Sequence, residues 1–227
     1  DFMAKNKFNF FFIHGGSLTG RARDELAEAM NRREMGFEFG GHLLPGFLPR
    51  DLFEEHPEYF RMEDGERTKH LNMCPSSEGG ADVMAKSALP YVNLLKPFDE
   101  AETLHLWADD LEKGGWCDCP LCEDLTETDQ TVLVLNKVGE RLPLDGLKLA
   151  FCAYHASIHP PENVETAGFV RLMYAPRERC FHHALGECEI NKRYLKYADD
   201  LIQALPNEPE VFEYYHDCIM FRHMSFP

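Results

Sequence analysis

Apolar and polar positions along the chain fall into short blocks with two periods, one suited to strands and one to helices. Residues 8–14 (Phe-Asn-Phe-Phe-Phe-Ile-His) are dense in aromatics and closed by Gly15-Gly16, which predicts a strand. Their nearly continuous apolar character predicts burial on both faces, the habit of parallel sheets. Further strands are expected at 37–39, ending in Gly40-Gly41-His42, and at 103–107, 147–154, 169–174 and 211–215. Helical composition marks 23–35, with Gly36 as its stop, then 81–95, 129–138 and 194–204, and residues 1–7 read as the end of a helix. Pro90 should kink the second of these helices. Residues 43–72 are irregular, with Pro45, Pro49, Pro57 and a brief helical signal at 51–56. A connection that long inside a compact domain is usually functional.

Strands alternating with helices point to parallel βαβ units. The connections that follow strands are long and rich in Gly, Pro, His and Cys, whereas those leading into strands are short, as in a barrel whose functional loops follow its strands. The competing fold, a doubly wound open sheet, usually carries a Gly-rich phosphate turn, of which Gly15-Gly16-Ser17 is only a fragment. The expected class is therefore α/β, a single (β/α)8 TIM-like barrel domain. Six strands are fewer than eight, so the barrel is expected to be incomplete, lacking its first and last strands, in a fragment of a longer protein.

With 227 residues, 44% of them hydrophobic and 17 Phe, the chain can build a substantial core. Its net charge of −16, with no long Lys/Arg run, argues against nucleic acid and anionic membranes as partners. No apolar run has the length of a membrane span, and no signal peptide opens the sequence, so secretion or a periplasmic location stays open. Eight cysteines are compatible with thiols, metal ligands or bridges.

Several segments run in order over nearly the whole chain. They are Gly40-Gly41-His42; His56-Pro57-Glu58-Tyr59-Phe60 with Gly65 and Arg67; Cys74; and Asp110 with Trp116-Cys117-x-Cys119-x-x-Cys122. Asp129 with Asn136, Tyr154 with Pro160-Pro161, and Tyr174-Ala175-Pro176 follow. Arg179-Cys180, Cys188 with Asn191, and Glu213-Tyr214-Tyr215 complete the set. The ordered set resembles a bacterial domain-of-unknown-function family related to α-glucuronidase-type glycoside hydrolases. The resemblance implies a (β/α)8 catalytic domain, normally preceded by a smaller β-rich domain, and carbohydrate as the ligand class. Residues 73–78 depart from the family pattern, and the connection 140–146 is short.

Glycoside hydrolysis generally needs two carboxyl groups flanking the scissile bond. If residues 8–14 form barrel strand two, strand four ends in Asp109-Asp110 and strand seven carries Glu213. These three are the candidate acid and base or nucleophile, by analogy at the level of the fold. Period-two alternation would put Glu213, Tyr215 and Asp217 on one face, with Glu213 partly desolvated among aromatics. The structural alternative has Asp109 or Asp110 capping a turn and Glu213 paired with Arg171 or Arg179.

His14 and His42 close strands beside glycines and would face sugar hydroxyls, with Arg67, Tyr154, His155 and Tyr215 as further substrate contacts. Trp116 is the preferred stacking platform, ahead of Trp107 and Tyr59. Cys117, Cys119 and Cys122 lie within reach of one structural zinc, with Cys74 as fourth ligand; a disulfide with free thiols is the alternative. Cys180 and Cys188 are spaced to pair. No cofactor is needed for the expected catalysis. The leading expectation is a glycoside-hydrolase-like enzyme acting on a glycan, including one bearing a uronic acid. A non-catalytic carbohydrate-binding barrel and a metal-dependent, non-glycosidic enzyme are the alternatives.

Overall fold

The computed structural model describes residues 2–15 and 18–214. A short helix α1 (Phe2–Lys5) precedes strand β1 (Phe10–His14), helix α2 (Gly20–Asn31) and strand β2 (Gly36–Gly41). Residues 42–77 then run through three 3-10 turns and an antiparallel pair of two-residue strands, β3 (Met62–Glu63) and β4 (Glu66–Arg67). Helix α3 (Glu78–Leu95), β5 (Ala101–Leu106), α4 (Glu127–Gly139), β6 (Lys148–Ala153), β7 (Val170–Tyr174), α5 (Glu189–Ala204) and β8 (Glu210–Val211) follow. The six longer-range strands form one parallel sheet in the order β1-β2-β5-β6-β7-β8.

This sheet is curled into a half-barrel. Strands in a flat sheet lie about 4.8 Å apart, which would separate β2 from β8 by roughly 19 Å. Yet a Glu38 and a Glu210 carboxylate oxygen lie within 4.8 Å of each other. Trp107, just past β5, likewise has its ring centroid 5.8 Å from that of Phe12 on β1 and 6.1 Å from that of Phe212 beyond β8. A groove of ≈ 660 Å³ runs along the open side between the two edges, over Phe10, Phe12, Arg171, Glu210 and Phe212.

Period-two alternation sorts the side chains cleanly. Phe37, Phe39, Leu104, Leu106, Leu149, Phe151, Leu172 and Tyr174 point to the convex face and join the helices in the main core. Phe37, for example, stacks on Phe98 with ring centroids 3.9 Å apart. The intervening residues face the concave side, where Trp107, Cys152, Tyr154, Met173 and Ala175 make a second, smaller core. Each sheet face is thus buried for a different reason, one by helices and one by curvature.

Element ends differ from expectation where backbone chemistry overrides composition. The helix expected over 23–35 is α2, which ends at Asn31; Glu34 takes φ +50°, and Gly36 opens β2 by donating its N–H to the Asn9 carbonyl. The strand expected from Phe8 begins at Phe10 and is only half-buried, because β1 lies at the sheet edge. Helix α3 begins earlier than expected, capped by the Ser77 hydroxyl, and continues through Pro90. A capping box between Thr126 and Asp129 starts α4. Gly40 must be glycine: at φ +136° its Cβ would stand 2.1 Å from the His105 carbonyl oxygen.

The connections keep the expected asymmetry. Residues 42–77, 107–126, 154–169 and 175–188 follow strands, whereas 32–35, 96–100, 140–147 and 205–209 lead into them. The long loops therefore gather at the carboxyl ends of the strands.

Candidate functional site

Five sequence-predicted residues converge where the strands end. His14 stacks on Trp107 at 5.1 Å, while His42 meets Trp107 edge-on at 5.3 Å and lies 6.0 Å from Tyr154, all between ring centroids. Close approach of the strands makes this packing feasible, since a Cβ on Gly41 would collide with the His14 ring at 2.5 Å. The His42 ring is fixed by a 2.5 Å hydrogen bond between Nδ1 and the Ala108 carbonyl, so Nδ1 carries the hydrogen and Nε2 is left as an acceptor. Partial burial, then the neighbouring His42 and His105, hold His14 below its usual pKa and favour the neutral ring.

Tyr154 donates its phenolic hydrogen to Asp110 Oδ1. Burial and the Asp110 carboxylate both push the Tyr154 pKa upward, so it remains a donor. Asp110 itself is exposed, and Asp109 is half-buried. The Asp109 N–H is held by Asn72 Oδ1 at 2.9 Å. A small cleft lies beside it, lined by Trp107, Asp109, Trp116, Glu127 and Tyr154. The mouth thus combines aromatic faces, two imidazoles and adjacent carboxylates, a set able to stack a sugar ring, bind hydroxyls and move a proton.

Other candidates are placed elsewhere. The Phe212 N–H bonds the Tyr174 carbonyl, which continues the β8 register and turns Phe212 and Tyr214 toward the concave core. Alternation then turns Glu213 away, where Arg179 grips its Oε2 from Nη2 at 3.0 Å and from Nε at 3.2 Å. His155 is paired with Glu178 at 2.8 Å. Arg67 points away from the mouth, donating to the Phe60 carbonyl at 2.6 Å and approaching Cys117 Sγ at 3.7 Å. Tyr59 stacks on His56 at 4.5 Å. Tyr215 and Asp217 lie outside the described residues. Cys180 and Cys188 are free thiols rather than a bridge; Cys180 Sγ instead lies 3.1 Å from His183 Nδ1.

A second polar group, not anticipated, fills the concave side below the mouth. Glu38 and His105 are both fully buried, with His105 Nε2 2.5 Å from Glu38 Oε2. Trp107 Nε1 donates to His105 Nδ1 at 3.2 Å, so the imidazole hydrogen must sit on Nε2 and point at Glu38. Arg171 Nη1 completes the group, 2.7 Å from Glu210 and 3.5 Å from Glu38. Burial lowers His105 to about 4, while burial and the facing Glu38 raise Glu210 to about 7. Single charged residues inside the apolar strands Phe37-Glu38-Phe39 and Leu104-His105-Leu106 were the signal available in the sequence.

Cys74, Cys117, Cys119 and Cys122 form a third group, all buried, with their sulfurs within 4.8 Å of one another. Among the described residues, the His, Cys, Asp and Glu side chains that meet in threes or fours are this set, Glu38–His105–Glu210 and Cys180–His183–Cys188. None of these sets includes His14, His42 or Asp110.

Residues 8–225 match the family described as a domain of unknown function, DUF4838. The chain belongs to the DUF4838 family. No curated protein matches it. Solved structures similar to this DUF4838 chain include one of the tandem GH20 catalytic modules in the pneumococcal exo-β-D-N-acetylglucosaminidase StrH. That structure is 13% identical, with 81% of this chain and 44% of that one covered and a TM-score of 0.47. A second StrH structure, concerned with N-glycan recognition and hydrolysis, is 13% identical, with 71% and 39% covered and a TM-score of 0.46. The DUF4838 chain spans less than half the length of either structure.

Proposed function

We propose that the strand-end mouth binds a glycan and hydrolyses a glycosidic bond, with Asp110 as the proton-transferring carboxyl and Asp109 beside it. The observation that carries this reading is the convergence of Trp107, His14, His42, Tyr154 and Asp110 at one end of a parallel half-barrel. Trp116, half-buried in the cleft beside Asp109, offers an apolar face to a pyranose, Trp107 backs the His14 ring from the core, and the imidazoles supply hydrogen bonds to the sugar hydroxyls. The TIM-like (β/α)8 barrel and the α-glucuronidase-type relationship belong to this proposal, which makes uronic-acid-bearing glycans the first substrates to try.

The test is turnover of a broad glycan panel by the complete protein and its Asp110→Asn variant. Loss of turnover by about 10²–10⁴-fold with glycan binding retained is expected. Absence of turnover by the complete protein, or an unimpaired variant, overturns the catalytic reading. One observation favours a second reading, a carbohydrate-binding barrel without catalysis. Glu213, the second strand-end carboxylate, is engaged by Arg179, which leaves Asp109, Asp110 and, from the start of α4, Glu127 as the carboxyl groups described at the mouth. Glycan binding with no turnover by the complete protein would select that reading.

A further inference from the structure

We propose that Cys74, Cys117, Cys119 and Cys122 bind one zinc ion as four thiolates, in a closed structural site that staples the loop after β5 to the segment before α3. Cys74 Sγ lies 3.9 Å from Cys119 Sγ and 4.0 Å from Cys122 Sγ. A tetrahedral ion with Zn–S bonds of about 2.3 Å holds its sulfurs about 3.8 Å apart. Disulfide-bonded sulfurs would be about 2.0 Å apart, and all four cysteines are free. Three of the four lie within six positions and Cys74 is remote from them in sequence, so the tertiary fold completes the set.

The surroundings are those of thiolates. The Met62 N–H points at Cys117 Sγ at 3.2 Å, Arg67 Nη1 approaches the same sulfur at 3.7 Å, and the Ser76 hydroxyl meets Cys122 Sγ at 3.1 Å. Four thiolates around a divalent ion carry a net charge of −2, and Arg67 offsets part of it. Binding releases the four thiol protons and oxidises nothing.

Hydrogen bonds of the surrounding backbone and of Gln130 position the cysteines. The Cys119 carbonyl accepts the N–H groups of Cys122 and Glu123 at 2.7 and 2.9 Å, a tight turn that presents both sulfurs of Cys119-Pro120-Leu121-Cys122 to one side. Gln130 of α4 clasps the Cys117 backbone from both sides, its Oε1 accepting from the N–H and its Nε2 donating to the carbonyl, each at 3.0 Å. The same knot reaches the mouth. The Asn72 N–H bonds the Gly115 carbonyl at 3.3 Å, and the Asn72 side chain holds Asp109.

The full chain, purified under reducing and chelator-free conditions, should contain one zinc per chain by elemental analysis. Replacement by cobalt should give the visible bands and thiolate-to-cobalt charge transfer of a tetrahedral four-sulfur site. Cys122→Ser should change that spectrum, while the Cys180→Ser/Cys188→Ser double variant should leave it intact. Because the cobalt spectrum is read on the unmutated protein, a variant that fails to fold does not blunt the test. Protein without stoichiometric metal, with iron in place of zinc, with disulfides among the four cysteines, or losing its metal only in the Cys180/Cys188 variant overturns the proposal.

Discussion

Among the described residues, two buried clusters of ligand-type side chains handle charge in opposite ways. In the concave cluster, carboxylates from β2 and β8 and an imidazole from β5 already have a cation among them, because Arg171 reaches in from β7 to within 2.7 Å of Glu210. In the sulfur cluster the guanidinium stays at the edge: Arg67 touches Cys117 at 3.7 Å and spends its shorter bond on the Phe60 carbonyl. The first is a self-contained ion network that ties four strands together from inside the curl. The second is a set of sulfur donors whose charge, in our proposal, is matched by an ion from solution. Residue type alone does not separate the two clusters; what differs between them is the position of the nearest arginine.

The sharpest break between the two should come from chelation. Stripping metal from the reduced protein should lower its unfolding free energy on the order of 5 kcal/mol, since binding energy at a structural metal site is folding energy. Denaturant unfolding with and without chelator measures this, and an unchanged midpoint would place the sulfur cluster among ordinary buried thiols.

The concave cluster should ignore chelators and respond instead to loss of its own cation. Arg171→Ala leaves the fully buried Glu38 and the largely buried Glu210 uncompensated and should cost about 3 kcal/mol. Replacing Arg171, Glu38 and Glu210 together by Met, Gln and Leu should recover most of that loss, because the charges are removed together while the Gln oxygen still accepts from the buried His105 Nε2–H. If the triple variant is no more stable than Arg171→Ala, the network is more than a balanced charge layer.

A smaller effect separates the members of the concave cluster by pH. Glu210, raised from 4.5 to about 7, binds its proton more tightly when folded; its contribution is full below 4.5 and lost as pH climbs through 7. His105, lowered from 6.5 to about 4, does the reverse, contributing above 6.5 and losing that contribution as pH falls through 4. Between these limits the two slopes oppose, with Glu38, also raised by burial, adding to the Glu210 side, so the wild-type stability profile should be flatter than that of a protein without His105. His105→Gln removes one slope, and its stability should fall by about 1 kcal/mol per pH unit as pH rises from 4.5 toward 7. Unfolding curves across that range check it, and a variant profile parallel to the wild type would refute the opposition.

The contrast also explains what could be read from the sequence. The sulfur cluster was legible because three of its members lie within six positions and cysteines that close share few roles. The fourth, Cys74, was legible only as a remote candidate, and the fold brings it to the others. The strand order of a half-barrel followed from the alternation of blocks and the loop asymmetry. The concave cluster was not legible, because Glu38, His105, Arg171 and Glu210 are far apart in sequence and meet only through curvature. Glu213 shows the cost of phase. Grouping it with Tyr215 and Asp217 on one face did not say which face that was, and a one-residue slip exchanges every side chain between faces. The register set by Phe212 puts Glu210 inside and Glu213 against Arg179.

The smallest expected effect tests where the mouth falls between these two extremes. Tyr154 is buried at its ring but spends its hydroxyl on Asp110, which is exposed. Tyr154→Phe keeps the ring packing against Cys152 and Trp107, and water can take the place of the lost donor at an exposed carboxylate. Stability should therefore fall by no more than about 1 kcal/mol, well short of what Arg171→Ala should cost. Activity on a glycan that the complete protein turns over should fall more, by about tenfold in kcat/KM, since the phenol fixes the orientation of the reacting carboxyl. The two readouts must diverge for the proposed role to stand. A large loss of stability with proportionate activity would make the Tyr154–Asp110 bond another internal fastening, like the one around Arg171. A small loss of stability with activity reduced in the folded protein would mark the mouth as the place where the fold leaves a carboxylate free to react.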